Sequence, residues 1–310
     1  MIKYIGINQT KTLLSIGRTD GFSIILLEKN KPLIQRKTNE IYIIELFYNT
    51  NLIFIVGDNK PQNILNIWDD SQQKNIGFIK MKNKIEHIKI NKKYIVLCDI
   101  HKLYIYDFKT LEFKKTICYE YNNNFYFNLS FKNNNYLIYS NKIGNINIYN
   151  IDHNIIKNYK GHENKIQYIK LSNHNKYIAS VSEKGTVIKV FDVYTLKLLK
   201  LLYRGLTPSE IINIEFDKDD NHILIYSNQN TLHIYNLNQN TNPKILFNSV
   251  LSLFNENLHD YEKSLYKVDI KKNNILCIMN DYRKIYIIDK NTMNIENYIL
   301  NNNIYDLITF

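Results

Sequence analysis

The sequence predicts an all-β fold, a seven-bladed β-propeller with four antiparallel strands per blade. Three observations carry that prediction: a signature returning about every forty residues, a four-beat strand pattern inside each period, and a strand-favouring composition. The signature is an aliphatic residue, an aromatic residue and an Asp or Asn closing a short alternating strand. It stands at Ile67-Trp68-Asp69, Ile105-Tyr106-Asp107, Ile148-Tyr149-Asn150, Val190-Phe191-Asp192 and Ile234-Tyr235-Asn236, with weaker versions at Leu26-Leu27-Glu28 and Ile287-Ile288-Asp289. The closing positions 28, 69, 107, 150, 192, 236 and 289 are spaced by 41, 38, 43, 42, 44 and 53 residues. All spacings but the last fit a propeller blade, and a two-sheet sandwich would not hold so constant a period. Seven units use up the 310 residues, which predicts a single domain over residues 1–310.

The four beats are clearest between residues 166 and 203. Ile166–Leu171, Tyr177–Ser182, Val187–Val193 and Leu198–Tyr203 alternate in character, separated by the polar turns Ser172-Asn173-His174-Asn175 and Glu183-Lys184-Gly185-Thr186. The same pattern fits Tyr42–Lys80, Lys84–Ile117 and Phe125–Tyr159, and no segment carries a 3.6-residue apolar stripe over three turns. Aromatic residues make up 13% of the chain, 25 of them Tyr and 14 Phe, which favours strands and supplies a core. The Asn runs at 122–124 and 301–303 read as loop filler.

The last, long spacing predicts an insertion of about ten residues between Asn236 and Asp289. Within Lys244–Tyr261, apolar residues recur at three- and four-residue steps. As a helix, this segment would present Leu246, Phe247, Val250, Leu251 and Phe254 as one face on a solvated loop, suited to a membrane interface or a protein groove. As a strand, Ile245–Phe254 would be the outer strand of blade six.

Net charge is +11, which favours polyanions: nucleic acid, anionic lipid surfaces or phosphorylated ligands. Cys98, Cys118 and Cys277 are odd in number and far apart, as expected for free, buried thiols in a reducing compartment. The N-terminus lacks a charged stretch leading into an apolar one, and no apolar run reaches about 18 residues, which predicts a soluble, cytosolic chain with peripheral membrane contact. No His-x-x-x-His or Cys-x-x-Cys pair and no Gly-rich phosphate loop occurs, so no catalytic residue, metal ligand or cofactor is expected. Asp217, Asp219 and Asp220 with Lys218 read as a solvated turn.

One region is more specific than the repeat. Ala179-Ser180-Val181-Ser182-Glu183-Lys184-Gly185-Thr186-Val187-Ile188-Lys189-Val190-Phe191, followed by Leu201-Leu202-Tyr203-Arg204-Gly205, resembles the blade-five signature of the PROPPIN family, in which a similar strand pair leads to Phe/Leu-Arg-Arg-Gly. Ile7-Asn8-Gln9-Thr10 with Gly17-Arg18-Thr19-Asp20-Gly21-Phe22 is similar to the family's opening segment, and Gly161-His162-Glu163 to its Ala-His turn. The resemblance implies two phosphoinositide pockets. Neighbouring residues on a strand point to opposite faces, so an Arg-Arg pair can serve one pocket on each side. A guanidinium then offers a rigid fork of donors to phosphate oxygens.

Carried onto this chain, the second pocket would contain Arg204, Thr207, Ser227 and Thr231, with His233 close by. The first would contain His162, Ser182, Lys184, Thr186 and Lys189, but Tyr203 replaces its Arg. A tyrosine donates one neutral hydrogen bond where the guanidinium offered charged ones about twice as strong, so this pocket is expected to be the weaker. Ser182, Thr186, Ser227 and Thr231 also fit as ordinary turn and strand hydroxyls, and a Gly-His imidazole such as His162 can bond within its own blade.

The resemblance implies a non-enzymatic, monomeric adaptor for membranes carrying phosphatidylinositol 3-phosphate or 3,5-bisphosphate. It would recruit lipid-transfer or conjugation machinery of autophagy and membrane trafficking from the cytoplasm to endosomal, vacuolar, autophagosomal or plastid-associated membranes. A WD-type protein-interaction scaffold without lipid binding is the alternative. An RNA-associated propeller rests on charge alone, and no nucleic-acid partner is expected.

Overall fold

Strands form where apolar residues alternate, because successive side chains leave a strand on opposite faces, and within each unit neighbouring sheets pack face to face. In the computed structural model, residues 1–58, 60–118, 127–132, 134–238, 261–270, 275–281, 283–301 and 304–308 are described. They form two compact units, Met1–Tyr121 with Lys290–Ile295, and Asn122–Asp289 with Glu296–Phe310.

The first unit holds three four-stranded antiparallel sheets. Blade one is Ile2–Ile7, Leu13–Arg18, Gly21–Leu26 and Lys31–Lys37; blade two is Ile41–Leu46, Leu52–Gly57, Ile64–Asp69 and Lys74–Lys80. Blade three is His87–Ile90, Tyr94–Cys98, Lys102–Asp107 and Phe113–Cys118. Phe22 and Ile24 pack on Ile44, Leu46 and Ile53, and Phe54, Val56, Leu65 and Ile67 pack on Ile88, Ile90, Ile95 and Leu97. Each such side chain, removed from water, contributes about 1.5–3 kcal/mol before the entropy of ordering is subtracted. Asn8 and Gln9 join the blades by polar bonds. Asn8 Nδ2 donates to Tyr48 O at 2.9 Å, while Gln9 Nε2 donates to Leu46 O at 3.1 Å and Ile90 O at 3.3 Å.

The second unit holds four sheets. Blade four is Phe127–Leu129, Tyr136–Tyr139, Asn145–Asn150 and Ile155–Lys160; blade five is Ile166–Leu171, Tyr177–Ser182, Val187–Asp192 and Leu198–Tyr203, joined by Tyr261–Glu262. Blade six is Ile211–Phe216, His222–Ser227, Thr231–Asn236 and Tyr266–Asp269; blade seven is Ile275–Asp281, Lys284–Asp289, Ile295–Asn301 and Ile304–Ile308. Blade five has two dissimilar faces. Ile178 and Phe191 face Ile138, Ile146 and Ile148 of blade four, whereas Ala179, Val181, Ile188, Val190 and Leu202 face Ile214, Ile223, Ile225 and Tyr235 of blade six.

The repeated signature has a physical cause. Its closing Asp or Asn accepts backbone N–H groups from the turn between the third and fourth strands: Asp69 from Ser71 and Gln72, Asp107 from Lys109 and Thr110, Asp192 from Tyr194 and Thr195. A second series closes the turn after the first strand. Asn8 Oδ1 accepts from Thr12 and Leu13, Asn91 Oδ1 from Lys93 and Tyr94, Ser172 Oγ from Lys176 and Tyr177, and Asp217 Oδ1 from Asn221 and His222.

Four expectations change. Asp289 closes the second strand of blade seven, and the third strand ends at Asn301, 65 residues beyond Asn236. The insertion is therefore roughly twenty residues by comparison with an ordinary period, not ten. The outer strand of blade six is Tyr266–Asp269; Ile245–Phe254, and with it Leu246, Phe247, Val250, Leu251 and Phe254, lies outside the described residues. The Asp217–Asp220 turn is not solvated throughout: Asp217 and Asp220 are buried, and Asp220 accepts from the backbone of Asn173 and His174 in blade five, both at 2.8 Å. Of the thiols, Cys98 and Cys277 are buried as expected, but Cys118 is exposed because it ends the outer strand of blade three. Among the described residues no helix is long and apolar enough to cross a membrane.

Candidate functional site

Arg204 directly follows the outer strand of blade five, and alternation turns it to the same side as Leu202, toward blade six. Its backbone N–H donates to Thr186 O at 2.9 Å, its Nε donates to Gly185 O at 2.6 Å, and its Nη2 donates to Thr207 O. The carbonyl of Gly185 is offered by a turn that only glycine can make. Gly185 has φ +64°, and a Cβ there would lie 1.7 Å from Ser209 O. Arg204 is 7% exposed, and burial lowers its proton affinity. No carboxylate pairs with it among the described residues. A guanidinium carries five N–H donors, and among the described residues two of these are committed, both to neutral carbonyls.

Opposite Arg204, the second and third strands of blade six present Ser227, Thr231 and His233 on the face that carries Tyr235 toward blade five. Ser227 Oγ and Thr231 Oγ1 are 3.0 Å apart. His233 is buried, with Nδ1 3.3 Å from Ser264 Oγ, and burial together with the charge of Arg204 holds its pKa down to about 4. The imidazole is thus neutral near pH 7. Thr207 contributes its backbone carbonyl to Arg204, and its side chain is exposed.

Tyr203 is turned the other way, toward blade four, with Val187, Lys189, Ser180 and Ser182 on its side of blade five. The backbone N–H groups of Gly161 and His162 both donate to Gly144 O, at 2.9 and 3.0 Å, which seats the imidazole with Nε2 2.8 Å from Ser180 Oγ. Burial first, and then the charge of Lys189, lower the His162 pKa to about 3. Lys184 is exposed and Lys189 half-buried, and neither is paired with a carboxylate among the described residues. Tyr203 packs edge-on against Tyr261, with ring centroids 6.2 Å apart. Thr186 serves the Arg204 side through its carbonyl.

Alternation thus turns Tyr203 and Arg204 to opposite faces of blade five, and Ser227, Thr231 and His233 stand across from Arg204 on blade six. Sequence reasoning missed Gly185 and Ser264. Gly185 was legible as a turn glycine, whereas Ser264 gave no local signal, since it reaches His233 only by the return of the inserted segment.

A blade with opposed polar faces at its rim, in a chain of seven four-beat sheets, defines the seven-bladed β-propeller class. The sequence matches the PROPPIN family over residues 2–260, and the chain belongs to that family. It is 28% identical over 245 residues to SVP1-like protein 2 of Pichia angusta, covering 74% of this chain and 68% of that protein. It is 29% identical over 247 residues to human WD repeat domain phosphoinositide-interacting protein 1, covering 76% of this chain and 55% of that protein. Some curated relatives are thus matched over little more than half their length. Among solved structures, Kluyveromyces lactis Hsv2 superposes with a TM-score of 0.82 at 20% identity, over 99% of this chain and 98% of that one. A complex of KlAtg21 with the coiled coil of AgAtg16 gives 0.81 at 19% identity, over 99% and 98%. These structures show the fold.

Proposed function

We propose that the chain is a non-enzymatic, peripheral membrane adaptor that grips phosphatidylinositol 3-phosphate or 3,5-bisphosphate through Arg204 and recruits autophagy or trafficking machinery. One observation carries this reading: a guanidinium buried between two blades with no carboxylate among the described residues to balance it. Burying an uncompensated charge costs several kcal/mol, and a phosphate is the ligand whose oxygens fit a planar donor fork. Gly185 and Thr207 fix the guanidinium plane from behind, which leaves its remaining N–H groups for the ligand. Ser227 and Thr231 supply hydroxyls, and neutral His233 can donate without adding charge. The name of the human relative supports a phosphoinositide ligand, and the KlAtg21 complex supports a coiled-coil protein partner.

The Tyr203 face keeps Lys189 and Lys184 but no fork, so it contributes a weaker contact. A single head-group site gives modest affinity, and the apolar residues 246–254 would add the second anchor that stable docking needs. The test is flotation on phosphatidylcholine vesicles with and without phosphatidylinositol 3-phosphate. Wild type floats only with the phosphoinositide, and Arg204→Thr loses recovery about tenfold or more, as expected for losing charge-assisted bonds of about 1.5–3 kcal/mol. Equal recovery of the two proteins would defeat the reading.

A further inference from the structure

Blade five is the sheet that carries a fifth strand among the described residues. Tyr261–Glu262 runs along the outer strand Leu198–Tyr203, with Leu201 opposite Tyr261 and Leu202 opposite Glu262, and it runs parallel where every other pair in that sheet is antiparallel. Four strands already complete the blade, and the chain goes on to build the outer strand of blade six at Tyr266–Asp269. An outer strand presents a row of unpaired N–H and C=O groups, and an extended segment laid along it satisfies them whichever molecule it comes from.

The side chains make this contact selective. Glu262 Oε1 meets Lys200 Nζ at 2.5 Å with both side chains only about a tenth exposed, so solvent screens the pair little. Tyr261 lies edge-on to Tyr203, with ring planes at 71°. Among the described residues the cis contact pairs two residues, while Leu198 and Leu199 on the same outer strand stay 42% and 47% exposed. A longer strand would cover that apolar margin.

We propose that the outer edge of blade five is a docking site for an extended segment of a partner protein, added in parallel and carrying an aromatic residue followed by a carboxylate. Tyr261–Glu262 holds the site in cis. Tethered four residues before Tyr266, the cis strand competes at a high effective concentration, so the site opens to a partner that pairs over more residues or meets the edge when the cis strand is released. This inference is independent of the lipid reading.

The probe is a labelled peptide with the sequence of residues 258–266, Leu-His-Asp-Tyr-Glu-Lys-Ser-Leu-Tyr, followed by fluorescence anisotropy without vesicles. In the Tyr261→Gly/Glu262→Ala double variant, the peptide binds at least about tenfold tighter than to wild type, because the cis competitor is weakened. Adding Lys200→Glu abolishes that binding, and a peptide with Lys in place of its Glu restores it. Glu262→Gln, which keeps the side-chain size, gives the same ranking to a smaller degree and serves if the double variant fails to fold. Equal binding to wild type and the opened variants, or indifference to Lys200→Glu, would overturn the proposal.

Discussion

Tyr203 and Arg204 are neighbours in the chain, yet they occupy chemically different faces of blade five. On the Arg204 face, a cation is fixed by the carbonyls of Gly185 and Thr207 and lies near a neutral histidine and two hydroxyls. On the Tyr203 face, the histidine is seated on Ser180 of its own blade, and the cations stand on flexible lysine stems. The difference teaches that both faces carry positive charge and only one fixes it in a plane, which is why the proposed phosphate contact is assigned to Arg204.

The largest expected effect comes from the support rather than from the ligand groups. Gly185→Ala forces a Cβ against Ser209 O in a left-handed turn, and we expect it to destabilise the chain by about 1–3 kcal/mol and weaken vesicle binding with it. Thermal unfolding with parallel flotation checks both. Tyr203→Arg would make the two faces alike: we expect tighter vesicle binding by about tenfold, with Arg204→Thr no longer abolishing it, since one charge-assisted fork contributes about 1.5–3 kcal/mol. If Tyr203→Arg leaves binding unchanged, the comparison of the faces fails.

Lys189→Ala should be smaller, about two- to threefold in the wild-type background, and larger once Tyr203→Arg is present, because residues sharing a ligand are not additive. Flotation of the two single variants and the double variant reads the coupling.

The two histidines sharpen the comparison by pH. Both pKa values are depressed in the fold, that of His162 to about 3 and that of His233 to about 4, against about 6.5 when unfolded. The unfolded chain therefore takes up protons first as pH falls. Their contribution to stability is full above about pH 6.5 and is lost progressively as pH falls, down to about pH 4 for His233 and about pH 3 for His162. Urea midpoints at pH 7.5, 6 and 5 should fall in that order, and His162→Asn should flatten the decline. A midpoint that rises on acidification would contradict the neutral, buried assignment.

Blade five was legible strand by strand because its turns are closed by residues within the same hairpin. The repeat itself was legible because the Asp or Asn of the signature accepts N–H groups two or three residues ahead. Blade seven was misaligned by one strand for the same reason. Asp289 imitates the signature at the end of a second strand, while the third strand ends at Asn301. Asp220 misled in the opposite sense: a run of acidic residues looks solvated, and its partners at 173 and 174 are 47 and 46 residues away in another blade. The Asn8-Gln9 pair was recognisable as a motif, but its work of binding blade one to Tyr48, Leu46 and Ile90 depends on contacts no local pattern encodes. At the site, alternation placed Tyr203 and Arg204 correctly, whereas the carbonyl seat of Arg204 requires the fold.

The central claim is that the Arg204 guanidinium itself takes the phosphate. Its most direct test is a titration of soluble inositol 1,3-bisphosphate followed by the side-chain Nε–H NMR signal of Arg204, identified by its loss in Arg204→Lys. The account predicts a saturable shift of that signal. A saturating head group that moves other resonances and leaves Arg204 Nε–H in place would contradict it.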